Sequence, residues 1–409
     1  MSIRRLFSVA AACGGILAAA SSTQAVSVTA DYRADFQGPA PSAGWAYQWN
    51  SGGAIGNPAN YTNLIFAAAD NRYDVDGVAG LPGPNPGAFV FLGATGGHPG
   101  RGSADGGSGG ISRFAIAGYT VQPTETGRTF IALATGKDAV AGQNGLDVQV
   151  YVNNTLVTSQ SNVRQSAFTL DLGNLNAGDV VRAAVGPNTA DGSDGFSFDM
   201  HLLNVSNAQV VADYTNDFQT PAPKAGWTYM TNNLGAIGNS ANYTNLLPAG
   251  SSYDNDGVAG LPGPDPGAFV FLSANDGHPG RGASDGGSGG INRYAIAGFT
   301  VPGDGFYDVL GAVSRRLGSG GATSSLDVEV YRNNTLITNL GTVTNETFLS
   351  ALGFLNAGDR IFFAVGPDQQ DGADGFKLDF TVFVAVPEPA SVSLLGLAGL
   401  ALLRRRRLA

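Results

Sequence analysis

The 409-residue chain carries 60 glycines and 20 prolines, and its net charge is −10. An acidic chain offers no electrostatic footprint for nucleic acid or anionic lipid, so those partners are excluded. Its single cysteine, Cys13, rules out a disulfide framework.

Residues 1–25 read as a secretory signal peptide. Arg4 and Arg5 give a positive start, Leu6 to Ala20 an apolar centre, and Thr23-Gln24-Ala25 a small-residue cleavage site, with the cut after Ala25. Cys13 follows Ala10-Ala11-Ala12 too near the amino terminus to be a lipidation site, and is filler in the apolar segment. Six basic residues and one acidic residue leave with the two ends of the chain, so 16 face 31 and the net charge becomes −15. Lysine is scarce, with Lys137, Lys224 and Lys377 alone.

The remainder repeats itself. Asp31-Tyr32 through Asp35-Phe36-Gln37 returns as Asp213-Tyr214 through Asp217-Phe218-Gln219, and Gly44-Trp45-Ala46-Tyr47 as Gly226-Trp227-Thr228-Tyr229. From Tyr73 and Tyr253 onward the copies stay 180 residues apart. The expected domains are residues 26–208 and 209–386, each long enough to build its own core. Strands are legible by period two: Leu326, Val328 and Val330 against Asp327, Glu329 and Tyr331; then Ile361, Phe363 and Val365; then Phe376, Leu378, Phe380 and Val382. Asn153-Asn154 and Asn333-Asn334 are spaced as two-residue hairpin turns, whose left-handed backbone asparagine tolerates. No stretch between the two ends keeps a helical period. The expected fold class is all-β, two tandem jelly-roll β-sandwiches.

Several residue sets invite chemistry. Trp45 and Tyr47, and Trp227 and Tyr229, are spaced by two and would project from one face of a strand, as a sugar platform or as core. The glycine-rich loops holding His98 and Arg101, and His278 and Arg281, suit either ligand contact or anchorage of the loop. Gly106-Gly107-Ser108-Gly109-Gly110 fits the nucleophile-elbow pattern, but lacks the strand before it and the helix after it. The same loop has no Lys-Ser/Thr for phosphate, and one short run is not a tandem calcium roll. Three histidines and no cysteine beyond the signal leave zinc without ligands.

Acidic sets suit calcium, which wants six to eight oxygens at about 2.4 Å. One set is Asp31, Asp35 and Asp199, mirrored by Asp213, Asp217 and Asp379. Others are Asp74-Val75-Asp76-Gly77, Asp254-Asn255-Asp256-Gly257 and Asp191-Gly192-Ser193-Asp194, which also read as ordinary turns. Matches to the glycosylation pattern, such as Asn60-Tyr61-Thr62, carry no weight in so Asn- and Thr-rich a chain.

The chain closes on Pro387-Glu388-Pro389, an apolar run to Leu403, and Arg404, Arg405, Arg406 and Arg407. These three parts in order, over residues 387–409, resemble the PEP-CTERM sorting signal. The arginines would stay cytoplasmic by the positive-inside rule, stalling the apolar transmembrane helix in the inner membrane. Ala390 to Leu403 is 14 residues where a span wants about 20, which suits a temporary anchor. The resemblance implies an exosortase-type membrane protease as partner, cleavage near the Pro-Glu-Pro box, and release to the cell surface, outer membrane or medium.

A second resemblance is to bacterial galactose-binding-like, carbohydrate-binding jelly rolls. It rests on Trp227-Thr228-Tyr229, His278-Pro279, Arg293-Tyr294, Gly305-Phe306-Tyr307, Ala357-Gly358-Asp359, Val365-Gly366-Pro367 and the strand ending at Asp379. The first copy departs at Gly127-Arg128-Thr129-Phe130. It implies a polysaccharide-binding surface or matrix protein with no catalytic residues, in which a structural calcium beside the first and last strands is common. The alternatives are a structural matrix protein without a small ligand, and a glycan-processing hydrolase.

Overall fold

A computed structural model describes residues 26–80, 89–105, 110–137, 145–190, 194–258, 269–285, 290–316, 325–368 and 375–386. The expected signal peptide and the expected sorting helix lie outside the described residues, as do Asp191, Gly192 and Ser193. Among the described residues no helix is long and apolar enough to cross a membrane.

Strands between Ser27 and Asn204 form one eight-stranded and one six-stranded antiparallel sheet, and strands between Ala208 and Ala385 form a second such pair. The protein is all-β, two tandem jelly-roll sandwiches. Period-two patterning sets the inner faces. Leu326, Val328, Val330, Ile361, Phe363, Val365, Phe376, Leu378, Phe380 and Val382 all enter the core of the second sandwich. The two hairpins turn as expected, with Asn153 at φ 55° and Asn333 at φ 53°. The first strand of each repeat lies beside its last, pairing Asp31 with His201 and Asp213 with Thr381.

Alternation breaks where the larger sheets meet. Along Gly127–Lys137, every residue from Thr129 onward is buried. Ile131 and Leu133 fill their own sandwich, while Phe130, Ala132 and Ala134 join Leu310, Ala312 and Phe383 of the second repeat in a separate apolar cluster. Phe130 meets Phe383 edge to face with centroids 5.1 Å apart. The larger sheets are therefore covered on both sides: one side by their own smaller sheet, the other by each other. Edge-to-face aromatic pairs of this kind add about 0.5–1.5 kcal/mol beyond area burial.

Candidate functional site

The aromatic pairs do project together from one face, but that face points inward. Trp45 and Tyr47 are 6% and 1% exposed, and Trp227 and Tyr229 are 4% and 2%. Their rings lie nearly parallel, 6.2 Å and 6.4 Å apart. Each indole N–H donates to a carboxylate, Trp45 to Asp35 at 3.0 Å and Trp227 to Asp217 at 3.2 Å. The sugar-platform reading of these four residues is thus corrected. Large rings on the inner face of a sandwich are its core, because burying them is worth several kcal/mol.

The histidines hold their loops. His98 packs 4.4 Å from Phe89 and 6.1 Å from Phe91, with Nδ1 against the Pro99 carbonyl. His278 repeats this with Phe269, Phe271 and Pro279. The carbonyls of Arg101 and Arg281 accept the N–H of Arg113 and Arg293, each at 3.2 Å.

The acidic sets are dispersed into different tasks. Asp31 caps a short helix, Tyr32–Asp35, by accepting the Ala34 N–H at 2.9 Å, and Asp213 does the same for Asn216. Asp35 and Asp217 accept the N–H groups of Asp31 and Asp213. Asp199 and Asp379 point away from their own cores into the contact between repeats. Asp74 and Asp254 accept the N–H of Gly77 and Gly257 within their turns, and Asp194 pairs with Lys137. Among the described residues no group of three or more His, Cys, Asp or Glu side chains is placed to hold a metal ion. The three-carboxylate grouping expected for Asp31, Asp35 and Asp199, and for their mates, is not assembled among the described residues.

What the fold does assemble is a cleft between the repeats. It is open to solvent, has a volume of about 380 Å³ and is lined by Asn162, Val163, Arg164 and Gln165 from the first repeat, with Asp276, Arg316 and Lys377 from the second. The first four lie at the turn into the strand Gln165–Leu175, Lys377 on the strand Phe376–Ala385, and Asp276 on the short strand beside it. Lys377 donates to Asp276 at 2.8 Å. Arg164 and Arg316 are exposed. Three cations thus face one carboxylate, in a protein that is otherwise strongly acidic.

This cleft escapes sequence reading because its walls come from residues far apart in the chain. A signal was nonetheless present. In the register of the repeat, Arg164 matches Thr344, Lys377 matches Ser197 and Asp276 matches Gly96, while the pairing of the strands Gly127–Lys137 and Gly305–Arg315 aligns Lys137 with Arg315 and therefore Arg316 with Asp138 in sequence. Arg164, Lys377 and Asp276 stand where the other copy has a neutral residue, and Arg316 stands where it has an acidic one. The corresponding place on the opposite side is closed: Asn345 donates to Ser197, and a Cβ on Gly136 would lie 2.7 Å from the Asn345 amide oxygen. The near-symmetric pair therefore has one filled flank and one open, charged flank.

Comparison with known proteins decides one point. Residues 385–407 match the PEP-CTERM protein-sorting motif. The chain carries that motif. A PEP-CTERM motif marks an exported protein sorted through the membrane and implies processing by an exosortase. No curated protein sequence matches the chain. Solved structures similar to it include tandem CBM51 modules of a family 98 glycoside hydrolase from Streptococcus pneumoniae, at 9% identity, TM-score 0.21, covering 67% of this chain and 84% of that one. Another is the CBM22-1–CBM22-2 tandem domain of a Paenibacillus barcinonensis protein, at 10% identity, TM-score 0.22, covering 90% and 99%. A third is a CBM51 from Clostridium perfringens in complex with methyl-galactose, at 15% identity, TM-score 0.20, covering 32% and 83%. At these scores the likenesses carry no argument about function.

Proposed function

We propose that this exported PEP-CTERM protein binds polysaccharide outside the cell, with its two sandwiches acting as one receptor. The cleft between the repeats carries the reading. It is open enough for a chain to pass, and amide, guanidinium and ammonium groups line it, which suit the hydroxyls and ring oxygens of sugars. Sugar sites that depend on stacking would need an exposed ring, and the paired aromatics are committed to the core. Asp276 is the one carboxylate of the lining and is already paired with Lys377. That leaves a set of binding groups and not the two flanking carboxyls that glycoside hydrolysis uses.

Affinity electrophoresis of the exported protein through gels containing soluble polysaccharides tests the proposal. Retardation by at least one polysaccharide, without release of reducing ends, is the expected result. Unretarded migration across a broad panel would overturn it in favour of a structural matrix protein.

A further inference from the structure

Resting on that reading, we infer that the inter-repeat cleft is built for an acidic polysaccharide, and that Arg164 and Arg316 read the carboxylates of its uronic acid units. Three observations converge on one place. The cleft gathers Arg164, Arg316 and Lys377 against a single carboxylate, although acidic residues outnumber basic ones 32 to 22 in the whole chain. Lys377 is held by Asp276, so the charge left over sits on the two arginines. Among the described residues no carboxylate pairs with Arg164 or Arg316.

Chemistry then selects the ligand. A guanidinium presents two parallel N–H donors that match the two oxygens of a planar carboxylate, whereas an ammonium acts as a point charge. Neighbouring Asn162 and Gln165 can donate to and accept from sugar hydroxyls. Concave walls focus the local positive field, while the acidic remainder of the surface repels a polyanion and keeps it from binding elsewhere. Over the screening length of about 8 Å in physiological salt, the cleft's own charges dominate for a ligand inside it.

The site also needs both repeats. Arg164 comes from the first and Arg316, Lys377 and Asp276 from the second. Their counterparts Thr344, Ser197 and Gly96 carry no charge and the counterpart of Arg316, Asp138, carries the opposite one, so neither copy alone, nor the opposite flank, reproduces it.

The test uses the full exported protein in gels containing polygalacturonate, dextran sulfate or unmodified dextran. Polygalacturonate is expected to retard it most. Arg164→Gln and Arg316→Gln should each weaken that retention about tenfold with unchanged melting, and Arg128→Gln, which lies outside the cleft, should leave it intact. Dextran retention equal to that by polygalacturonate would overturn the acidic-ligand inference while leaving polysaccharide binding standing. Stronger retention by dextran sulfate, lost in the same variants, would overturn the carboxylate assignment in favour of any polyanion. No effect of either arginine substitution on a retained protein would remove the cleft as the site. No retention by any of the three, or by neutral glycans more broadly, would sink the functional proposal itself.

Discussion

Asp199 of the first repeat accepts both the backbone N–H and the hydroxyl of Thr347 in the second, at 2.9 Å and 3.0 Å. Asp379 of the second repeat does the same to Thr169 of the first, at 2.7 Å and 3.1 Å. Two carboxylates on equivalent strands thus clasp the sandwiches in both directions around the apolar contact of Phe130 and Phe383. Replacing Asp199 by Ala strands a buried N–H, which costs about 1–3 kcal/mol. Denaturant unfolding should report a loss of that size. A double-mutant cycle with Thr347→Val should return a coupling energy above about 0.5 kcal/mol, and additive single effects would mean that the clasp is incidental.

Burial pushes the Asp379 carboxyl up to about 6, opposed by the Thr169 and Thr215 donors. An acid whose folded value is raised binds its proton more tightly in the native state. Its contribution is present in acid and is lost as pH rises from the ordinary aspartate range through about 6, on the order of 3 kcal/mol. Asp379→Asn cannot ionise. Melting temperatures measured from pH 4.5 to 8 should fall less for this variant than for the native chain, and parallel curves would show that Asp379 does not titrate in this range.

His201 adds a dependence of the same sign. Thr347 gives its one hydroxyl proton to Asp199, so the Nδ1 of His201, which touches that hydroxyl, must donate to it. The other nitrogen faces Asp31 Oδ2 at 3.0 Å and also donates. Only the imidazolium satisfies both. Burial opposes the charge, but the hydrogen bond donated to Asp31 and the nearby charge of Asp199 raise the ring's pKa on balance, against Arg33 on the other side. Stability from this group is complete below the ordinary histidine value and is lost as pH rises through the elevated one. His201→Thr, which copies Thr381 of the second repeat, should cost more at pH 6 than at pH 9. Equal costs at both would refute a charged ring.

Trp45→Ala and Trp227→Ala each remove a core ring and a donor to a carboxylate, half-buried at Asp35 and buried at Asp217. A loss of about 3–5 kcal/mol is expected for each, read by denaturant unfolding. Polysaccharide retention per folded molecule should be unchanged, since neither ring reaches the cleft. Lost retention in a fully folded variant would return the aromatic pairs to the binding site.

Processing by an exosortase near Pro387-Glu388-Pro389 should leave a protein that ends close to Val386, without Arg404 to Arg407. Intact-mass analysis of surface and medium fractions checks this, and a recovered arginine tail in the surface fraction would contradict it.

Local chemistry was enough to read the all-β class, the tandem repeat, the Asn-Asn hairpins and the sorting motif, because each is written in a few neighbouring residues. Alternation says that a strand has two faces. It does not say what covers each one. Whether Gly-Trp-x-Tyr faces solvent or core, and whether Asp199 faces an ion or Thr347, depends on which sheet arrives from elsewhere in the chain. The run Phe130-Ile131-Ala132-Leu133-Ala134 did hint at a strand covered on both sides, as continuous apolar stretches do. The charged cleft needed the folded whole: Arg164 and Lys377 meet only because two near-identical sandwiches pack face to face with one flank filled by Asn345 and the other left open.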